Sequence, residues 1–123
     1  MKRYTSESQT AKLIELGFEK PKSISGYCRC GPYEYDAETN TKMVVYDDTQ
    51  YPIYAYSIGE LIEMLPERIE GEHNDYLLAI EKARSAWWVM YLYLGKQKYA
   101  THSEELADAL YDMLISLKEE GVI

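Results

Sequence analysis

The segment Ala86-Trp87-Trp88-Val89-Met90-Tyr91-Leu92-Tyr93-Leu94 constrains this chain more than any other, because it places nine apolar residues in a row without a charge. A membrane-spanning helix needs about 20 such residues, so the run is too short to cross a bilayer, and its aromatic content suits a strand. Alternate residues of a strand point to opposite faces. Trp88, Met90, Leu92 and Leu94 therefore share one face, and Trp87, Val89, Tyr91 and Tyr93 share the other. Both faces are bulky and both need cover. The even set carries no hydroxyl and is expected to face the helices, together with Leu78 and Ile80 of a neighbouring strand. The odd set is amphipathic and is expected beneath a second layer, in a subunit interface or as a ligand platform.

The neighbouring strand is read at residues 76–82, antiparallel to 86–94 across a connection at 83–85. Helical signals surround this pair. Residues 5–16 read as a first helix capped by Thr5 or Ser6, with Leu13 and Ile14 on its apolar stripe, Gly17 as a left-handed stop and Phe18 folding back. Ser57-Ile58-Gly59-Glu60 is a capping-box pattern. The helix it opens carries Ile58, Leu61, Ile62 and Leu65, and Pro66 closes it. Residues 67–75 read as an acidic loop. Thr101 or Ser103 is expected to cap a last helix with Leu106, Leu110, Met113, Leu114 and Leu117 in its stripe and Gly121 at its end. No repeat or long linker divides the 123 residues, which predicts one α+β domain over residues 1–123, a small antiparallel sheet packed by about three helices.

Between the first two helices, residues 28–52 form a Tyr-rich irregular hairpin excursion, with β-prone pieces at 26–30 and 42–46 and a turn near 37–40. Thirteen tyrosines stand against a single phenylalanine, so the chain has many large rings whose hydroxyls need water or a partner. This excursion is the first candidate to cover the odd face of the 86–94 strand. Self-association through Trp87, Tyr91 and Tyr93, giving a homodimer, is the second.

Charge narrows the function classes. The net charge is −8, and residues 31–75 hold eleven acids and two cations. Direct nucleic-acid binding is disfavoured, because neutralising phosphate needs clustered cations, and an aromatic platform for bases would lack its electrostatic partner. An acidic nucleic-acid mimic that occupies a host protein is an alternative. Met1-Lys2-Arg3-Tyr4 leads into polar residues with no apolar signal core, and Cys28 and Cys30 are too close in sequence to staple distant segments. A reduced, cytoplasmic setting away from the membrane is the expectation.

The sharpest chemical motif is Cys28-Arg29-Cys30-Gly31, which looks like half a zinc knuckle. Four ligands are the rule for a structural site, and His73 and His102 are the remaining soft donors. A metal-binding module or enzyme using Cys28 and Cys30 is therefore an alternative function, against the plainer reading of two cysteines on one strand face. No nucleophile elbow, phosphate-cradling glycine cluster or calcium loop is present. No catalytic residue and no cofactor are expected.

The segments Tyr56-Ser57-Ile58-Gly59-Glu60-Leu61-Ile62-Glu63-Met64-Leu65-Pro66 and Ser103-Glu104-Glu105-Leu106-Ala107-Asp108-Ala109-Leu110-Tyr111-Asp112-Met113-Leu114 flank the strand pair. Their order resembles small proteins of unassigned function encoded in phages, prophages and other mobile elements. The resemblance covers about the last two-thirds of the chain and carries over no site residue. It implies a small cytoplasmic accessory protein of a mobile element; the reading of the residues as a whole is of a protein that works by protein–protein interaction rather than by chemistry.

Overall fold

Ser6 opens the first helix, α1 (Glu7–Glu15), through a reciprocal box: its hydroxyl accepts from the Gln9 N–H while the Gln9 side chain accepts from the Ser6 N–H. Gly17, at φ +95°, ends it as expected. The Gly17 and Phe18 amides donate back to the Ile14 and Leu13 carbonyls, which lays Phe18 against the core. The computed structural model describes the backbone of residues 1–36 and 41–123 and the side chains of residues 1–28 and 51–123. The expected turn at 37–40 lies outside the described residues.

Two long strands follow, β1 (Ile24–Asp36) and β2 (Thr41–Tyr54), paired antiparallel from Ile24 opposite Tyr54 to Asp36 opposite Thr41. The register shifts at three places, between Ile24 and Gly26, between Cys28 and Cys30, and between Cys30 and Tyr33. The short β-prone pieces of the sequence are thus parts of one long, irregular ribbon.

α2 (Ile58–Met64) begins at the Ser57–Glu60 capping box and stops at Leu65, before Pro66. The remaining strands form a second sheet in the order β3 (Arg68–Ile69), β4 (Tyr76–Ala83), β5 (Ala86–Tyr93) and β6 (Lys96–Ser103), every neighbour antiparallel. Two of these depart from expectation. β3 lies inside the expected acidic loop, held because Arg68 and Ile69 pair with Leu77 and Tyr76. β6 occupies residues that carry no alternating apolar pattern, and pairing with β5 alone makes them a strand. It also runs through the positions expected to cap the last helix, α3 (Leu106–Glu119), whose actual cap is Glu105. Thr101 instead donates its hydroxyl to the Ala109 carbonyl at 2.7 Å, tying β6 to α3.

The helices gather on one side of this sheet. Leu106, Ala107, Ala109, Leu110, Met113, Leu114 and Leu117 of α3 are all buried, and they meet Leu13 of α1, Leu61 and Leu65 of α2, and Val89 and Tyr91 of β5 in one cluster. Each fully buried leucine contributes about 1.5–3 kcal/mol. The amino-terminal segment is locked across the top: Thr5 and Tyr56 exchange hydrogen bonds, and Lys2 reaches Asp108 of α3 at 2.6 Å. The result is an α+β architecture of three helices and two antiparallel sheets. Among the described residues, no helix is long and apolar enough to cross a membrane.

Candidate interaction surface

Residues 86–93 are extended as expected, while Leu94, expected on the even face, sits in the following turn at φ 45°; the two faces of the strand are exchanged. Trp87, Val89 and Tyr91 join the helix-side cluster, and Tyr91 is 0% exposed. The reason is one residue of register. A connection of three residues at 83–85 would set Leu78 and Ile80 opposite even-numbered partners. The β4–β5 loop is instead the two residues Arg84 and Ser85, both at positive φ, so Leu78 faces Tyr91 and Ile80 faces Val89. A slip of one residue turns every side chain of a strand to the other side.

Of the three residues read as a contact surface, Trp87, Tyr91 and Tyr93, burial removes Tyr91 from any such surface. The Tyr91 ring is in the core, and its hydroxyl donates to the Pro66 carbonyl at 2.7 Å; burial holds its pKa well above the ordinary phenol value. Trp87 packs against the same cluster with the Lys82 ammonium 5.4 Å from its ring centre. Tyr93 is half-buried at the end of β5.

The other face of the sheet is the more open one. It carries Trp88, Met90 and Leu92 on β5, flanked in register by Glu81, Ala79 and Leu77 on β4 and by His102, Ala100 and Gln97 on β6. Trp88, Met90 and Leu92 stand outside the helix-side cluster. Met90 is shielded by its own sheet, where the Gln97 amide reaches its sulfur at 3.6 Å, and the Trp88 and His102 rings stack with centroids 4.5 Å apart. Leu77 is 57% exposed, and Ala100, His102 and Gln97 are exposed as well. The face also carries Glu81 on β4, His102 on β6 and the exposed Arg68 on β3, opposite Leu77.

The ribbon β1–β2 is the second exposed feature. Its strands pack extensively against each other, and among the described residues their contacts with the other elements are slight. At its base Ala55 donates to the Ser23 carbonyl at 3.1 Å, and Ile53 and Tyr54 sit beside Thr10 and Ile14 of α1. Beyond that base it is an arm. Tyr27 is 60% exposed and Ile53 and Tyr54 are also exposed. The odd face of β5, for which this excursion was the first candidate cover, lies against α3.

The chemical candidates are scattered. Cys28 is half-buried on β1 opposite Tyr51, while the side chain of Cys30 lies outside the described residues. His102 stacks on Trp88, and His73 is exposed in the loop before β4. Among the described residues, no three His, Cys, Asp or Glu side chains gather to hold a metal. An open cleft of about 540 Å³ between the end of α1 and α2 is lined by Glu19, Tyr56, Glu60 and Glu63 among others. Its central carboxylate is committed to structure. Burial pushes the Glu60 pKa up, but hydrogen bonds from the Lys22 amide, the Ser23 hydroxyl and Ser57 outweigh it and hold the group below the usual carboxylate range. A proton donor at neutral pH needs the opposite shift.

No family model, curated protein or solved structure matches the chain. For the sheet face of Trp88, Met90 and Leu92 the sequence signal was the hydroxyl-free even set of the β5 strand. For the arm it was the supply of β-prone residues on both sides of a turn, with none of the leucines that anchor the other elements.

Proposed function

We propose that this chain is a non-enzymatic protein-interaction protein, an accessory of a phage-like mobile element, that engages its partner through the β1–β2 arm. The arm carries this reading. An isolated two-stranded ribbon is marginal in water, and one held outside the core gains its stability from a surface it lies upon. Its aromatic composition, with Tyr27, Tyr33, Tyr35, Tyr46, Tyr51 and Tyr54, is that of interface cores, where tyrosine combines apolar area with a hydroxyl. The commitment of Glu60 to local hydrogen bonds supports binding over catalysis in the cleft beside it.

Replacing residues 28–51 by an Asn-Gly turn tests the reading. The shortened chain is expected to melt within about 5 °C of the full one, since the arm adds little to the core. In the full chain, a photoreactive residue in place of Tyr27 is expected to form protein adducts in the cells that make it. A body that cannot fold without the arm, or a probe that yields no adduct, contradicts the proposal.

A further inference from the structure

We infer that the groove between α1 and the base of the β1–β2 ribbon is a self-association surface, occupied by the same groove of a second copy of this chain. The inference uses the base of the ribbon and does not depend on what the rest of the arm binds. The groove has two lobes, of about 240 and 420 Å³. Thr10 and Ile14 of α1 and Tyr54 of β2 line both, so the lobes meet there. One runs along Ala11 and Ile53 to Glu7 at the start of α1, and the other runs past Pro21 to Lys20, beyond its end.

Large apolar side chains left to water gather along this groove. Ile53 is 44% exposed and Tyr54 52%, and Ile14 is exposed between them and the helix. Ile24, exposed as well, stands opposite Tyr54 in the ribbon register, so the two share a face. Single exposed apolar residues are ordinary, whereas a contiguous group marks a contact surface. The floor offers no open hydrogen-bonding group to a polar ligand. The Thr10 hydroxyl donates to the Ser6 carbonyl at 2.8 Å and lies 2.7 Å from that of Thr5, which in turn accepts from the Tyr56 amide.

Charge selects a second copy as the occupant. Among the described residues, the charged ones lining the groove are Glu7 at one end and Lys20 at the other. A two-fold axis crossing the groove at Ile14 reverses its direction, which brings Glu7 of each copy to Lys20 of the other and sets Ile14 and Tyr54 against their own images. The same crossing places the exposed Glu15 level with the exposed Lys12 of the other α1. The surface is thus complementary to itself, within a chain whose net charge of −8 makes copies repel elsewhere.

The area sets the strength. The nine residues of α1 present a strip about 14 Å long and about 10 Å wide, and the ribbon base adds one of similar size. Two copies bury on the order of 1,000 Å² in all, which makes the association weak and reversible.

Sedimentation equilibrium of the full chain up to about 500 µM tests the inference. The wild type is expected to pass from monomer to dimer within that range. Ile14→Glu, at an exposed position, should weaken the dimer about tenfold or more. Glu7→Lys and Lys20→Glu should each weaken it severalfold, and the two together should recover most of the loss, because each end then pairs with its sign reversed. Circular dichroism checks that α1 persists in every variant. A wild type that stays monomeric overturns the inference and leaves the groove to a different protein, with the arm still to be judged by its own adducts. A dimer unchanged by Ile14→Glu and by both single charge reversals overturns it too, since self-association then uses another surface.

Discussion

The Tyr91 hydroxyl, in the middle of β5, donates to the carbonyl of Pro66, the residue that terminates α2, at 2.7 Å. Pro66 cannot donate and its carbonyl lies past the helical ladder, so the phenol satisfies an acceptor the helix leaves open. The same bond fixes which side of the strand faces the helices.

Tyr91 therefore separates two contributions. Tyr91→Phe keeps the ring and leaves the Pro66 oxygen without this donor, which is expected to cost about 1 kcal/mol. Tyr91→Ala also empties the core and is expected to cost about 3–5 kcal/mol. Urea unfolding of the two variants checks the ratio. Equal, small losses would mean the ring is not in the core.

Lys2 makes the second link legible to experiment. Its ammonium lies 2.6 Å from Asp108 and 2.9 Å from the Gln9 side chain. Burial pushes the Asp108 pKa up, but hydrogen bonds from Lys2 and Gln9 and the Lys2 charge prevail and lower it. A carboxylate depressed in the folded state stabilises above its unfolded pKa and loses that contribution as pH falls through its folded value. Lys2→Met is thus expected to cost about 1–2 kcal/mol at neutral pH, and progressively less below about pH 4. A pH series of melting temperatures for both chains reads this; a pH-independent gap speaks against the ion pair.

Ser57→Ala removes the cap that accepts from the Glu60 amide at 3.2 Å. A loss of about 1 kcal/mol is expected in denaturant unfolding. Glu60→Gln retains hydrogen-bonding capacity without charge and is expected to cost less.

Arg84 and Ser85 sit at φ 54° and 62° in the turn that sets the β4–β5 register. Side chains other than glycine pay about 1–2 kcal/mol for this conformation, so Ser85→Gly is expected to raise stability by about 1 kcal/mol. A destabilised variant would contradict the two-residue turn, and with it the assignment of faces.

That turn also marks where the sequence stopped being readable. The limits that rest on local chemistry were legible: Ser6 with Gln9, Ser57 with Glu60, Gly17 and Gly121 at positive φ; the start of α3 was not, because Glu105 caps it without a side-chain bond. The apolar stripe of α3 was legible because its period is intrinsic to the helix. The facing of β5 depended on whether Ala83 belongs to the strand or to the turn, and Arg84-Ser85 carries none of the glycine or asparagine that announces such a turn. β6 was illegible for a related reason: Lys96, Gln97 and Lys98 declare no strand, and a register shift between Tyr91 and Leu92 breaks the alternation they would otherwise follow. The surface sought at Trp87, Tyr91 and Tyr93 followed from that single register.

Amide hydrogen exchange over residues 24–36 and 41–54 in the isolated chain tests the proposed role of the arm most directly. The expected result is rapid exchange along the arm while α3 remains protected. Arm amides that exchange as slowly as those of α3, in a molecule of monomeric mass, would contradict it.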